Sequence, residues 1–468
     1  MFRAIDISLL TVSGSVTDVR AAAGDGAPVV MVTSTTSWAF PARVAMAFAE
    51  LGWHVEAICW FGNPISRIQC VRRIYHYAAL RPIEALSNAI SRAAPDLIVP
   101  CDDRALAHLL ALHERSASSG RQAHADLIER SLGDPRIFAP ARRRAGFIEL
   151  AQQEGILAPT MLAVESVAEL RAALQQVGLP AMLKMDNSWG GDGVAKVATT
   201  AQAEQLFERM SLGQSTKFAL QRLVTNGDPF YLLPGPRTAR PRVNVQRFVQ
   251  GEPANCVLSC CKGEVLAIIQ VNVLCAQHAM GPATIVEVTA APAITEAAHR
   301  VVRRLGLSGF CGLDFVIEEA TGTPYLIEMN QRVTPLGHFA LSGGRDPVGA
   351  LAARHSARTG RQRPLTTTSD IVAFFPEAWH LDPDSRYFPV AHHDVPWSEP
   401  DLVRALVRPP WQERSRMARF VRRQLGARVR PPIWSAPPQR PAELRVLPEY
   451  PAESGHAADS GQPAIPIA

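Results

Sequence analysis

Between Pro28 and Asp103 the chain alternates between two hydrophobic rhythms. PVVMVTS (28–34) is almost continuously apolar, PARVAMAFAELG (41–52) reads as an alanine-rich helix that ends at Gly52, and WHVEAIC (53–59) is again a short apolar run. A second helical rhythm from Pro82 to Ala93 leads into PDLIVPCDD (95–103). Short apolar runs fit strands buried on both faces, and a 3.6-residue period fits a helix packed along one side. Strand, helix, strand, helix, strand predicts an α/β unit over residues 28–125 with a doubly wound parallel sheet. The carboxyl ends of such strands are where open sheets take up ligands. That singles out Thr33–Ser37 and Cys101–Asp103, although Asp102 and Asp103 equally suit capping of the following helix.

From about Ala141 the texture changes. RRRAGFIELAQQEG (142–155) has a helical pattern, a strand follows near Thr160, and a helix is predicted from Ser166 to Val177. Next comes GLPAMLKMDNSWGGDGVAKV (178–197), a strand carrying Lys184, a turn rich in glycine, and a strand carrying Lys196. Glycines let backbone amides approach phosphate oxygens, and a lysine adds a point charge. The chain has only four lysines, Lys184, Lys196, Lys217 and Lys262, and two of them flank this turn. A turn with no ligand role fits the same residues. Neither G-x-G-x-x-G nor G-x-x-x-x-G-K-[ST] is present, so a dinucleotide fingerprint and a P-loop are excluded.

VNVQRFVQGEP (243–253) and ANCVLSCCKGEVLAIIQ (254–270) read as a strand followed by a hairpin that turns at Lys262 and Gly263. Alternation places Cys256 and Cys260 on one face and Cys261 on the other, as core filling. A further hairpin is predicted from GLDFVIEE (312–319) and PYLIEMN (324–330) around a three-residue loop, Ala320–Gly322. With Glu319 paired to Thr323, Asp314 falls opposite Glu328 and Asn330 shares their face. Leu313, Phe315, Ile317, Tyr325 and Ile327 then form the core face. Facing carboxylates destabilise a sheet unless positive charge lies between them or both reach solvent. Two carboxylates and an amide oxygen suit a hard cation such as magnesium.

Composition adds limits more than clues. A chain of 468 residues, 47% hydrophobic and 19% charged, is long enough for two to four domains of ordinary globular type. The net charge of +5 comes without a basic run interleaved with aromatics, so nucleic acid is not an expected partner. The eight cysteines form no C-x-x-C pair and are expected to be reduced and buried. No apolar run approaches the roughly 18 residues of a membrane span, so integral membrane association is not expected and the cytoplasm is the default location. No Ser-His-Asp or Cys-His constellation stands out; His278, His299 and His338 suit proton transfer but equally a structural role.

In combination the two informative segments point further, because a glycine-rich turn with lysine can hold nucleotide phosphates while an acidic hairpin holds magnesium against them. PAMLKMDNSWGGDGV, VQRFVQGEP and GLDFVIEEATGTPYLIEMNQR occur in an order that resembles the ATP-grasp superfamily, the fold of biotin carboxylase, carbamoyl phosphate synthetase and the D-alanine ligases. The resemblance covers roughly residues 28–350. It implies a Rossmann-like domain at 28–125 and a two-part α+β ATP-grasp domain at 140–350, divided near residues 245 and 246.

The resemblance also implies roles. Lys184 and Arg144 would contact phosphate, Arg144 standing where the family often has lysine. Ser188, Gly190, Gly191 and Gly193 belong to the turn that would fold over the triphosphate. Gln246, Arg247 and Val249 would lie in the strand that receives adenine, with Glu252 near the usual ribose-contacting acid. Asp314, Glu328 and Asn330 would hold magnesium, with manganese as a substitute; the family more often has glutamate at the first of these. Arg332 would neutralise charge on the transferring phosphoryl group, acting in catalysis with Lys184. The implied activity is a ligase that activates a small carboxylate as an acyl phosphate and joins it to an amine. A silent nucleotide-binding module and a bicarbonate-activating carboxylase or carbamoyl-type enzyme remain as alternatives, and a homo-oligomer is compatible with the family. The substrate is expected to meet the loop Asp228–Arg242. Residues 351–430 read as an extension in which His392, His393 and Asp394 form either a contact group or, by preference, a polar turn before Pro396, followed by a basic helical stretch from 403. The Pro-, Ala- and Ser-rich residues 431–468 are expected to be disordered.

Overall fold

The computed structural model describes residues 26–119, 121–186, 193–211, 242–356 and 361–407. Ser188, Gly190, Gly191, most of the loop 228–242 and the tail 431–468 lie outside the described residues, as does the basic stretch beyond Val407.

The first unit is a parallel sheet of β1 (Val29–Ser34), β2 (His54–Cys59), β3 (Val71–His76) and β4 (Leu97–Pro100). Its order is β3-β2-β1-β4, so the chain winds outward in both directions from β1. β1 pairs in parallel with β2 and β4. All but the first residue of β1 are buried, which explains its unbroken apolar run. Helices Phe40–Glu50 and Pro82–Ala93 follow β1 and β3 and begin with proline at their first turns, where the missing N–H costs nothing.

A smaller antiparallel sheet contains β5 (Met161–Val164), β6 (Ala181–Met185), β7 (Val194–Val197) and β8 (Val243–Arg247), in the order β5-β8-β6-β7. Helix Val167–Val177 covers it and is capped by Ser166, whose Oγ accepts from Glu169 N at 3.2 Å, while Glu169 Oε2 accepts from Glu165 N at 2.9 Å. Gly193, at φ +75°, closes the turn between β6 and β7 in a conformation that favours glycine.

The largest sheet has seven strands in the order β13-β12-β9-β10-β11-β14-β15. β9 (Gly251–Cys261), β10 (Glu264–Ala276), β11 (Ala283–Thr289), β12 (Gly309–Glu318) and β13 (Pro324–Asn330) form its body. The β9–β10 turn lies at Lys262 and Gly263, both with positive φ, as the sequence pattern predicts. β14 (Ile371–Ala373) and β15 (His392–His393) extend this sheet from the region after residue 350. That region is therefore built into the sheet.

Two apolar cores join the parallel sheet to the large one. One contains Met31, Ile58 and Leu109 together with Leu258, Leu313 and Leu326; the other joins Val30, Phe48 and Val55 to Phe310, Val333 and Leu402. The small sheet has its own core of Val164, Leu170, Leu183, Phe207 and Val245. All eight cysteines are free, and burial pushes the Cys59 thiol up to about 12, far from reactive thiolate character.

Candidate active site

The acidic hairpin is where the sequence expectation is met for one pair and corrected for its surroundings. Asp314 lies opposite Glu328, as predicted. Near the turn, however, Glu318 rather than Glu319 pairs with Thr323: Glu318 N donates to Thr323 O at 2.9 Å, and Gly322, at φ +69°, donates to Glu318 O at 2.8 Å. The ladder would then run one residue out of register with the carboxylates. A bulge between Asp314 and Phe315 absorbs the difference, so Phe315 faces Leu326 while Asp314 still faces Glu328. The core face changes accordingly. Leu326 is fully buried, whereas Tyr325 and Ile327, expected in the core, are half-buried. The Tyr325 ring instead lies 5.2 Å from the Arg247 guanidinium.

Around this pair the chain supplies its own donors. Asn330 Nδ2 donates to Asp314 Oδ2 at 2.9 Å, and Asn255 Nδ2 donates to Asp314 Oδ1. Asn255 was not among the candidates from sequence; its position three strands before Asp314 becomes visible only once β9 pairs with β12, which places Asn255 directly beside Asp314. Burial, then the neighbouring Glu328 charge, push the Asp314 carboxyl up to about 6. Glu328 is met by Arg144, at 2.7 Å between Nη1 and Oε2, from the first position of helix Arg144–Gln153.

Lys184 reaches the same region from β6. Its side chain is 4% exposed, and it makes no hydrogen bond or ion pair within 4.0 Å among the described residues. Burial lowers its ammonium from 10.5 to about 8; Glu328 pulls it up, Arg144 down and Asp314 up by smaller amounts. Three predicted residues, Lys184, Arg144 and Glu328, are thus brought together with Asp314 and Asn330.

Arg332 follows β13 and is clamped on several sides. Its Nε meets Asp103 Oδ1 at 3.0 Å, its Nη2 donates to Asn330 Oδ1 at 3.1 Å, and the Trp38 ring centre lies 5.5 Å from the guanidinium carbon. Asp103 comes from the carboxyl edge of the parallel sheet that the sequence singled out. Its neighbour Asp102 has the structural role: it accepts from Thr35 N at 2.6 Å, Thr35 Oγ1 at 2.7 Å and Ala105 N at 2.9 Å, tying the β1 loop to the helix Asp103–Ser119. Val333 N donates to Pro100 O at 3.3 Å, a second link between the hairpin and this edge.

The expected adenine strand lies between the small and large sheets. Gln246 is buried on β8, and its Nε2 has no hydrogen-bond partner among the described residues. Val249 is buried in the connection to β9, and Phe248 beside it receives the Lys196 ammonium at 3.7 Å from its ring centre. Glu252 is exposed on β9, paired with Ile317. The predicted polar turn at His392–Asp394 is not one. Asp394 is buried, bonded to Arg43 and, at 3.2 Å, to His338 Nε2. Burial pushes its carboxyl up, but His338 and Arg43 outweigh that and hold it at about 2.

Two antiparallel sheets that bring a basic strand residue against an acidic hairpin, preceded by a parallel α/β unit, define the ATP-grasp fold. Residues 144–338 match the family described as "Carbamoyl-phosphate synthase L chain, ATP binding domain". Similar solved structures include a carboxyaminoimidazole ribonucleotide synthase from Aspergillus clavatus complexed with ATP, 18% identical over 70% of this chain and 77% of that one, with a TM-score of 0.51. The same comparison finds N5-carboxyaminoimidazole synthase from Aspergillus clavatus in complex with ADP and 5-aminoimidazole ribonucleotide, 16% identical over the same shares and with the same TM-score. The carbamoyl phosphate synthase large chain of Gemmatimonas aurantiaca is 23% identical over 285 residues, covering 58% of this chain and 23% of the relative. That of Rhodopirellula baltica is 26% identical over 240 residues, covering 48% and 20%. This chain therefore spans only about a quarter or less of the length of these relatives. Among the described residues, no helix is long and apolar enough to cross a membrane.

Proposed function

We propose that the chain is an ATP-dependent ligase that activates a small carboxylate as an acyl phosphate and joins it to an amine, with magnesium as the accompanying ion. The observation that carries this reading is Lys184, a buried ammonium with no anionic partner of its own among the described residues, held beside two carboxylates and a guanidinium. Burying a charge is costly unless something compensates it, and a nucleotide phosphate supplies that compensation. Asp314, Glu328 and Asn330 offer only oxygen ligands of the hard type magnesium takes, so the donor set fits the ion. Bound magnesium-ATP supplies a transferable phosphoryl group and spreads its charge.

The chain's own residues do the positioning. Lys184 and Arg144 hold phosphate, and the buried, unpartnered Gln246 amide offers a donor along the expected adenine strand. Arg332, fixed by Asp103 and Asn330, presents a guanidinium whose charge offsets that of a phosphoryl group leaving for a carboxylate. No protein nucleophile is required. Bicarbonate as the carboxylate is the second reading, prompted by the similarity to carbamoyl phosphate synthase large chains.

The test is release of ADP in the presence of magnesium and pooled carboxylates and amines, with mass analysis of products and a separate arm containing bicarbonate. Dependence on both a carboxylate and an amine is the expected result. Glu328→Gln should abolish the release; unchanged release would remove Glu328 from the metal site.

A further inference from the structure

Each of the three side chains that would hold the metal is already engaged by a cationic or amide group of the chain itself. Glu328 Oε2 carries the Arg144 guanidinium at 2.7 Å, both Asp314 oxygens accept amide hydrogen bonds, and Asn330 Oδ1 accepts from Arg332. Arg144 is the only one of these donors that brings a full charge to a carboxylate of the pair. Its side chain is largely buried, as is Lys184 nearby. A free divalent ion that takes Glu328 Oε2 displaces a largely buried guanidinium and comes to rest beside two cations. A metal–nucleotide complex meets a different balance. Its phosphate oxygens accept the fork of N–H donors that an arginine presents, and its net negative charge is attracted by both cations.

From this balance we infer that Arg144 is a built-in counter-ion of Glu328, surrendering the carboxylate only when phosphate oxygens receive its guanidinium, so that the protein takes up a divalent cation together with a nucleotide and excludes the free ion. This inference rests on the nucleotide and metal reading above and adds an order of binding to it. The position of Arg144 at the start of a helix assists the exchange, because the exposed N–H groups and dipole of a helix N-terminus favour an incoming anion.

The test titrates the full chain with Mn2+ alone and with Mn2+ plus ADP, following free Mn2+ by electron paramagnetic resonance and subtracting the Mn2+ that the same ADP takes up without protein. For the native protein ADP should tighten Mn2+ binding by about tenfold or more, the usual scale of one close charge on an ionic equilibrium. Arg144→Met should tighten binding of Mn2+ alone by about tenfold and shrink the ADP effect. Arg144→Lys keeps the charge and should bind free Mn2+ as weakly as the native protein; it also guards against a folding defect in the first variant. Adding Glu328→Gln to Arg144→Met should reverse the gain. The inference is overturned if Arg144→Met binds free Mn2+ no better than the native protein, or if native binding is equally tight without ADP. Should the native protein show ADP-dependent Mn2+ uptake while Arg144→Met changes nothing, only the counter-ion role falls. Absence of Mn2+ uptake by the native protein with ADP overturns this inference and the metal reading together.

Discussion

Replacing Lys184 with methionine should stabilise the protein and disable the proposed nucleotide site at once. The lysine is buried, and burial depresses its ammonium from 10.5 to about 8. At about 1.4 kcal/mol per tenfold change in proton affinity, keeping it charged in the folded protein costs about 3 kcal/mol at neutral pH. Because the folded state holds this proton less tightly than the unfolded chain, the cost is present in full below about pH 8 and is relieved as pH rises from there towards 10.5. Methionine fills similar volume without charge, so Lys184→Met should gain up to about 3 kcal/mol at pH 7 and progressively less above pH 8. Urea denaturation of both proteins at several pH values, without nucleotide, measures the gain. Fluorescent ADP binding should fall by at least tenfold in the same variant, matching loss of a charge-assisted phosphate contact. A variant less stable at pH 7, or a difference that does not shrink with rising pH, would refute the reasoning.

Other substitutions probe the remaining features. Asp103→Asn removes the carboxylate that fixes Arg332 Nε and should lower kcat for ADP release by about 10–100-fold, with little change in the KM for ATP, because the proposed phosphate contacts, Lys184 and Arg144, lie on other elements. Leu326→Ala should cost about 2–5 kcal/mol by urea denaturation and Ile327→Ala distinctly less; the reverse order would deny the bulge. Asp394→Ala leaves Arg43 and His338 buried without their shared carboxylate and should destabilise by about 3–5 kcal/mol. In the native protein that carboxylate is depressed from 3.8 to about 2, so its stabilisation is present above pH 3.8 and lost as pH falls towards 2; acid titration should show this loss in the native protein and not in the variant.

Periodicity carried the parts of the fold that depend on local sequence. The helix Pro82–Ala93 and the Lys262–Gly263 turn match their predicted positions, because proline starts, apolar spacing and positive φ are properties of a few consecutive residues. The opposition of Asp314 and Glu328 was also legible, though by an incomplete route: the turn is one residue different from that expected, and the bulge that restores the pairing has no local signature. The alternation rule therefore misplaced Tyr325 and Ile327 while placing the carboxylates correctly. What sequence could not supply was partnership across long separations. Asn255 with Asp314, Asp103 with Arg332, and Asp394 with Arg43 join residues 59, 229 and 351 positions apart, and each becomes apparent only when strands pair or sheets pack. In the last case a run that reads as a hydrophilic turn proved to hold a buried carboxylate, because its compensating charges come from other elements.

The division of the cores has a mechanical consequence. Asp314, Glu328, Arg144 and Arg332 ride on a body whose packing is continuous from the parallel sheet to the large one, while Lys184 rides on the small sheet with a separate interior. The seam between these bodies runs through the middle of the charge cluster. Its width is therefore a dial on the local field: drawing the small sheet inward strengthens the pull of Lys184 on whatever anion lies between, and easing it outward loosens that grip without breaking a strand.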